Sequence, residues 1–170
     1  MSIRAQRLAN DFQELSDLVS SSNGKITIDS IEGDPPYCYY IRYYCRGIES
    51  LRNGSPVFRN EHQVRIELGS EYPLSVPNAQ FLTAIFHPNI WEDGRVCFGF
   101  YWSISDPLTE VVVRISKLIQ YSRDILNLDS PANIEAKNWA KNQPENFSLD
   151  WENFEETDNF PKGIIWNDLQ

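Results

Sequence analysis

Apolar residues at Ile3, Leu8, Phe12, Leu15 and Val19 recur close to every third or fourth position, with Arg4, Arg7, Asp11, Glu14 and Asp17 mostly elsewhere on the wheel. That spacing predicts an amphipathic helix over 3–19. A turn cluster at 20–25 ends it, and beyond that point the period shortens. Residues 25–31 and 36–45 are rich in Ile and Tyr at alternating positions and read as strands, with Gly33, Asp34, Pro35 and Pro36 as the turn between them. The polar stretch around Asn53, Gly54, Ser55 and Pro56 reads as a loop. After it, 62–68, where Val64, Ile66 and Leu68 alternate with polar residues, and the short apolar run 79–83 read as two more strands. Four strands in succession predict an antiparallel meander.

From Phe86 to Pro107 no single period holds, and turn formers mix with aromatics. Irregular segments of this length in compact domains are usually functional. A broad helical stripe then runs through Leu108, Val112, Ile115, Leu118, Ile119 and Ile125, predicting a helix over 108–126. A further helix is expected over 131–142, opened by Ser130 as cap with Pro131 in its first turn. Helix, four strands, irregular loop and two helices together predict an α+β fold, an antiparallel sheet with helices packed against it.

A chain of 170 residues with 41% hydrophobic and 23% charged residues suits one core with a tail. The net charge of −9 is unevenly spread: 1–142 holds 14 Lys and Arg against 17 Asp and Glu, a net of −3, while 143–170 holds Lys162 against seven acids, a net of −6. The boundary of the main domain is therefore placed at 142, with an acidic extension after it. With no basic stripe, nucleic acid is not an expected partner. No apolar run approaches the roughly 20 residues of a membrane span, so no membrane is expected and the protein reads as cytoplasmic. Cys38, Cys45 and Cys97 are odd in number and lack CxxC spacing, which argues against a disulfide framework and against a metal site. Within the tail, Phe147, Trp151 and Phe154 fall at i, i+4 and i+7. They predict a short helix with an aromatic face, either docked on its own domain or presented to a partner.

Of the three cysteines, Cys97 has the setting for chemistry. It lies in the irregular segment near Gly94 and Gly99, with Arg95 close by to favour a thiolate and Asn89 eight residues upstream as an amide donor. Its block, 72–97, combines a Tyr72-Pro73 turn with a second proline at Pro77, a strand, the tripeptide His87-Pro88-Asn89, and the cysteine eight residues after that Asn. The tripeptide alone is a weak signal; in register with turn, strand and cysteine it is a specific one. The block resembles the signature of ubiquitin-conjugating enzymes. The resemblance covers about 3–142: RLANDFQEL is similar to the family's first helix, SPVFRNEHQVRIEL to its third strand, Trp102-Ser103 to its Trp-Ser, and SPANIEAKNWAKN to the opening of its next-to-last helix.

The resemblance implies that Cys97 accepts ubiquitin or a ubiquitin-like protein as a thioester from an activating enzyme and passes it to an amine of a protein target. ATP would be used by the activating enzyme, and this chain would need no cofactor. Asn89 would either stabilise the oxyanion or order the loop, and His87 and Pro88 would scaffold it, with Tyr72, Pro73 and Trp102 as architecture. Trp91, Asp129 and Ser130 are candidates for activating or gating the incoming lysine, whose free pKa near ~10.4 leaves it charged; simple packing is the competing reading of Trp91. Arg4 and Arg7 are candidate contacts for the activating enzyme, Leu74 and Ser105 for a ligase. The chain departs from the family in its aromatic run Phe98, Gly99, Phe100, Tyr101, in the long SISDP loop, in Leu74 where an aromatic is usual, and in Asp11, Glu14 and Asp17 on the first helix. These departures predict altered ligase and activating-enzyme recognition and lean toward a specialised or bacterial system, antiviral ones included. Two other classes compete: a non-catalytic binding module, with a partner on the acidic tail, and a cysteine hydrolase, which would need His87 to reach Cys97.

Overall fold

The computed structural model describes residues 1–143 and Leu149. Helix α1 (Ile3–Ser21) opens at Ser2, whose hydroxyl accepts the Ala5 N–H at 3.1 Å, satisfying one of the donors orphaned at a helix start. Strands β1 (Ile26–Gly33), β2 (Pro36–Tyr43), β3 (Gly47–Arg52), β4 (Ser55–Arg59), β5 (His62–Glu67) and β6 (Asn78–Phe81) follow, then helices α2 (Leu108–Ile119) and α3 (Ile134–Lys141). The order β1-β2-β5-β6, antiparallel throughout, is the predicted meander.

Alternation sorts its two faces. Pairs Tyr39↔Ile66 and Ile41↔Val64 bury one face, while the intervening pairs Tyr40↔Arg65 and Arg42↔Gln63 carry the polar one. That polar face is closed by ion pairs, Arg42 to Asp29 at 2.7 Å and Arg65 to Glu67 at 2.7 Å. The main core, with Leu8, Leu15, Tyr39, Ile41, Val64 and Ile115, unites the buried face with α1 and α2.

Three expectations need correction. The stretch around Asn53 and Gly54 is a hairpin, β3–β4, whose turn residues both take positive φ (53° and 78°). Helix α2 stops at Ile119, because Tyr121 adopts φ +56° and closes a left-handed C-terminal motif: Tyr121 N–H donates to Leu118 O (3.0 Å) and Ser122 N–H to Lys117 O (3.0 Å). A buried tyrosine, its hydroxyl donating to Phe86 O, takes the place usually given to glycine, so the stop left no sequence signal. Helix α3 is capped by Asn133, whose side chain accepts from Ala136 N–H at 2.9 Å, and Ser130 lies outside the helix.

A second cluster, Ile48, Phe86, Tyr121, Ala136 and Leu149, joins the hairpin, the end of α2 and α3. Leu149 is 3% exposed there, so packed structure reaches past residue 142. Phe147, Trp151 and Phe154 lie outside the described residues. Among the described residues no helix is long and apolar enough to cross a membrane, and no cluster of His, Cys, Asp and Glu could hold a metal ion.

Candidate active site

β6 is an edge of the sheet, and the segment after it folds back to cover that edge. Phe81 N–H donates to Gly94 O (2.8 Å) and Val96 N–H to Ala79 O (2.9 Å). Gly94 is required here: φ is +87°, and a Cβ would fall 2.4 Å from Phe81 O. The same segment pairs with itself through Cys97 N–H to Asn89 O (2.9 Å), an Ile90↔Val96 bridge, and Trp91 N–H to Arg95 O (2.9 Å). Cys97 is thus set on a short irregular hairpin braced against the sheet. It is half-buried, whereas Cys38 and Cys45 are buried, and none of the three is in a disulfide.

The tripeptide upstream acts as a clamp. His87 is 1% exposed; its Nδ1 accepts the Asn89 N–H at 3.0 Å, which leaves the ring proton on Nε2, and its ring meets Tyr121 at 4.6 Å. Burial pushes its pKa down to about 3, so it is neutral and oriented by the backbone. That geometry does not offer a base to Cys97, and the hydrolase reading lacks its second member. Pro88 O accepts from both Ala132 N–H (2.8 Å) and Asn133 N–H (3.0 Å), fixing the start of α3. Asn89, 2% exposed, spends both side-chain atoms on one residue: Nδ2 donates to Asn127 O (2.6 Å), and Oδ1 accepts the Asn127 N–H (3.0 Å). Asn127 in turn holds the gate candidates, its Oδ1 accepting from Asp129 N–H (3.1 Å) and Ser130 N–H (3.2 Å). Sequence reasoning named Asp129 and Ser130 but missed Asn127; the run Asn127-x-Asp129-Ser130-Pro131 carries the turn chemistry that could have found it.

Trp91 is 43% exposed at the tip of the hairpin, and the Arg95 guanidinium lies 5.9 Å from its ring centre. Arg95, expected to act on the thiol, pairs instead with Asp93 at 2.7 Å. After the cysteine, Phe98 and Phe100 meet edge to face at 5.8 Å, and Trp102 Nε1 donates to Pro73 O at 2.8 Å, bringing the Leu74 and Ser105 loops together. Leu74 is exposed there alongside Tyr101, the last residue of the aromatic run, and Ile104, which sequence reasoning did not single out. Ser105 bonds Ser103 through their hydroxyls at 2.9 Å.

The candidate contacts on α1 are engaged within the chain. Arg4 donates to Leu68 O and Gly69 O, each at 3.0 Å. Arg7 pairs with Asp11 at 2.8 Å and donates to Tyr72 Oη (2.9 Å) and to the carbonyls of Ile104 and Asp106. Asp11, expected on the solvent face, is 2% exposed: it accepts from Tyr72 Oη (2.6 Å) and, across the fold, from Leu108 N–H (3.2 Å), capping α2 in place of Pro107, which makes no cap bond. Burial and the Asp11 bond push the Tyr72 phenol up.

Comparison with known proteins extends the picture. The family model described as "Ubiquitin-conjugating enzyme" matches residues 48–155. A Saccharomyces cerevisiae ubiquitin-conjugating enzyme, E2 13, is 30% identical over 125 residues, covering 70% of this chain and 78% of the relative. The NEDD8-conjugating enzyme UBE2F of Xenopus tropicalis is 32% identical over 112 residues, covering 61% and 56%. Yeast E2-34 kDa is 26% identical over 136 residues, and the chain spans only 45% of that relative's length. A Trypanosoma cruzi chain described as a ubiquitin conjugating enzyme superposes with a TM-score of 0.60 at 17% identity, covering 82% of this chain and 91% of that one, a likeness of fold.

Proposed function

The chain belongs to the ubiquitin-conjugating enzyme family, and from that premise we propose that Cys97 carries a ubiquitin-like modifier as a thioester and delivers it to an amine. The observation that carries the reading is the placement of Cys97: the half-buried thiol of the three, on a hairpin locked through Asn89 to the Asp129–Ser130 loop. In the first step the Cys97 sulfur attacks the acyl carbon of the modifier held on its activating enzyme, forming a new C–S bond as the donor's C–S bond breaks and its thiol leaves. In the second, a neutral amine attacks the Cys97 thioester; an amide forms, the Cys97 C–S bond breaks, and the proton lost from nitrogen leaves through solvent or a neighbouring base. Asp129 and Ser130, exposed on a loop braced by Asn127, flank the approach of that amine. Asn89 serves by ordering that loop, through the bond its Nδ2 donates to Asn127 O and the bond its Oδ1 accepts from Asn127 N–H. Trp91 forms an apolar wall that lowers the cost of a neutral lysine.

Cys97→Lys tests the reading. Expressed with a tag in the native host beside a Cys97→Ala control, it should trap the modifier as a stable amide at position 97, and fragment masses would identify the modifier by its C-terminal residue. No adduct there, together with no reductant-sensitive species on the native protein when its activating enzyme is supplied, would favour a non-catalytic module and direct attention to the acidic tail.

A further inference from the structure

We propose that Arg114 and Phe100 are positioning residues for the acceptor thiol, through a stack of side chains that holds the backbone after Cys97 and ties it to α1. The inference rests on the thioester reading above and asks what fixes the cysteine's downstream side, the aromatic run Phe98–Tyr101. Residues 98–107 contain no helix or strand, so side-chain contacts must set their path. The contacts form one line. The Arg114 guanidinium carbon lies 4.4 Å from the Phe100 ring centre. Phe100 meets Phe98 at 5.8 Å and 89°, and Trp102 at 6.4 Å and 77°. Trp102 lies 6.0 Å from Tyr72, and Tyr72 lies 5.2 Å from the Arg7 guanidinium. The two contacts of Phe100 with Phe98 and Trp102 are edge to face and the Trp102–Tyr72 pair is tilted at 39°; edge-to-face rings and a cation over a ring face are favoured geometries of these groups.

Two features make this more than filling. Arg114 projects from α2, a rigid element, and its Nη2 donates to Phe98 O at 3.4 Å, the carbonyl of the residue after the cysteine. Gly99 stands between the two phenylalanines at φ +61°, and a Cβ there would lie 3.3 Å from Asn127 Nδ2, so the stacked segment abuts the residue that holds the Asp129–Ser130 loop. The cysteine is thus gripped on both sides, by Asn89 upstream and by the Arg114–Phe100 stack downstream. A reacting carbon misplaced by about 1 Å can lose ~100-fold in rate, which is why such a grip would matter. Only the planar guanidinium can make both contacts, because a lysine keeps the charge but cannot lie flat on the ring while reaching the carbonyl.

The test uses the full chain with Arg114→Gln, Arg114→Lys and Phe100→Leu. Hydrogen exchange of amides 98–101 is read on the isolated protein, and discharge of the Cys97 thioester to free lysine is read in single turnover with kcat and KM separated. Arg114→Gln and Phe100→Leu should each speed exchange at 98–101 at least about tenfold while leaving β5 amides unchanged. Each should lower kcat about five- to tenfold at constant KM for lysine. Arg114→Lys should behave like Arg114→Gln, and the double variant Arg114→Gln, Phe100→Leu should be no worse than the weaker single one, as for parts of one device. Unchanged exchange at 98–101, full rescue by Lys, or additive losses would overturn the proposal. If Arg114→Gln does not fold, Phe100→Leu, at a partly exposed ring, decides alone. A native protein that forms no thioester would sink the functional reading instead, while the exchange data would still decide whether the stack holds the segment.

Discussion

Asn89 is the residue in which structure and chemistry are hardest to separate, because its buried amide makes two hydrogen bonds to one backbone unit, Asn127. Asn89→Ala strands that carbonyl and that N–H, and each unsatisfied buried group costs about 1–3 kcal/mol. We expect a lower melting temperature, at roughly 2–4 °C per kcal/mol for a chain of this size, and faster hydrogen exchange at 129 and 130. Thioester formation at Cys97 should persist while discharge to lysine slows. Asn89→Asp separates the two roles. It keeps the acceptor for Asn127 N–H and loses the donor to Asn127 O, so a loop-ordering residue should show an intermediate discharge rate and intermediate exchange. A discharge rate as low as that of Asn89→Ala, with native exchange at 129 and 130, would instead mark Nδ2 as a direct donor to the oxyanion.

At the scale of elements, the start of α3 is where pattern and structure disagree most usefully. Ser130-Pro131 has the composition of a helix opening, yet the cap bond belongs to Asn133, and the turn before it is pinned by Pro88 O. Asn133→Ala should therefore cost about 1 kcal/mol, within the 0.5–2 seen for lost caps, while Ser130→Ala stays within about 0.5 kcal/mol; equal losses in urea melts would return the cap to Ser130. Periodicity made α1, the four meander strands and the existence of both later helices legible, because each buries one regular face. It failed wherever a single residue overrides the period. Tyr121 ends α2 by taking a glycine's conformation, and Asp11 sits at a polar position on the wheel but caps another helix. The β3–β4 hairpin was legible in Asn53-Gly54, a pair suited to positive φ at both turn positions, but the flanking residues alternate too weakly to announce strands. At the site, Cys97, His87 and Asn89 could be named from the family resemblance that their spacing carries. Asn127 shows only its local turn in the sequence, to Asp129 and Ser130, and not its bonds to Asn89 across the fold; Arg114 acts only through long-range contacts, and a lone charge in the apolar run Val111–Ser116 gives no hint of the ring it will cover.

For the whole molecule, a few buried groups set its response to truncation and to acid. Leu149→Ala empties a position that is 3% exposed in the second cluster, so we expect a loss of about 2–5 kcal/mol. A chain cut at residue 142 should fall by at least as much, and an unchanged melting temperature would place Leu149 outside the cooperative unit. Acid should act through the histidines. His62, 0% exposed, has its pKa lowered by burial to about 4, and His87 to about 3. Both are neutral in the folded chain, whereas in the unfolded chain each takes a proton near pH 6.5. Below that pH the unfolded state binds more protons, so stability present above pH 6.5 is lost as the pH falls toward 4 for His62 and toward 3 for His87. Each histidine contributes a slope that approaches about 1.4 kcal/mol per pH unit, so the two together should remove between 2 and 3 kcal/mol, roughly, for each unit once the pH is well below 6.5. Urea melts between pH 7.5 and 5 would measure it. Replacing His62 with Gln should roughly halve the slope whatever it does to stability at neutral pH, and a curve that stays flat down to pH 5 would mean that at least one ring opens to solvent and titrates in the folded state.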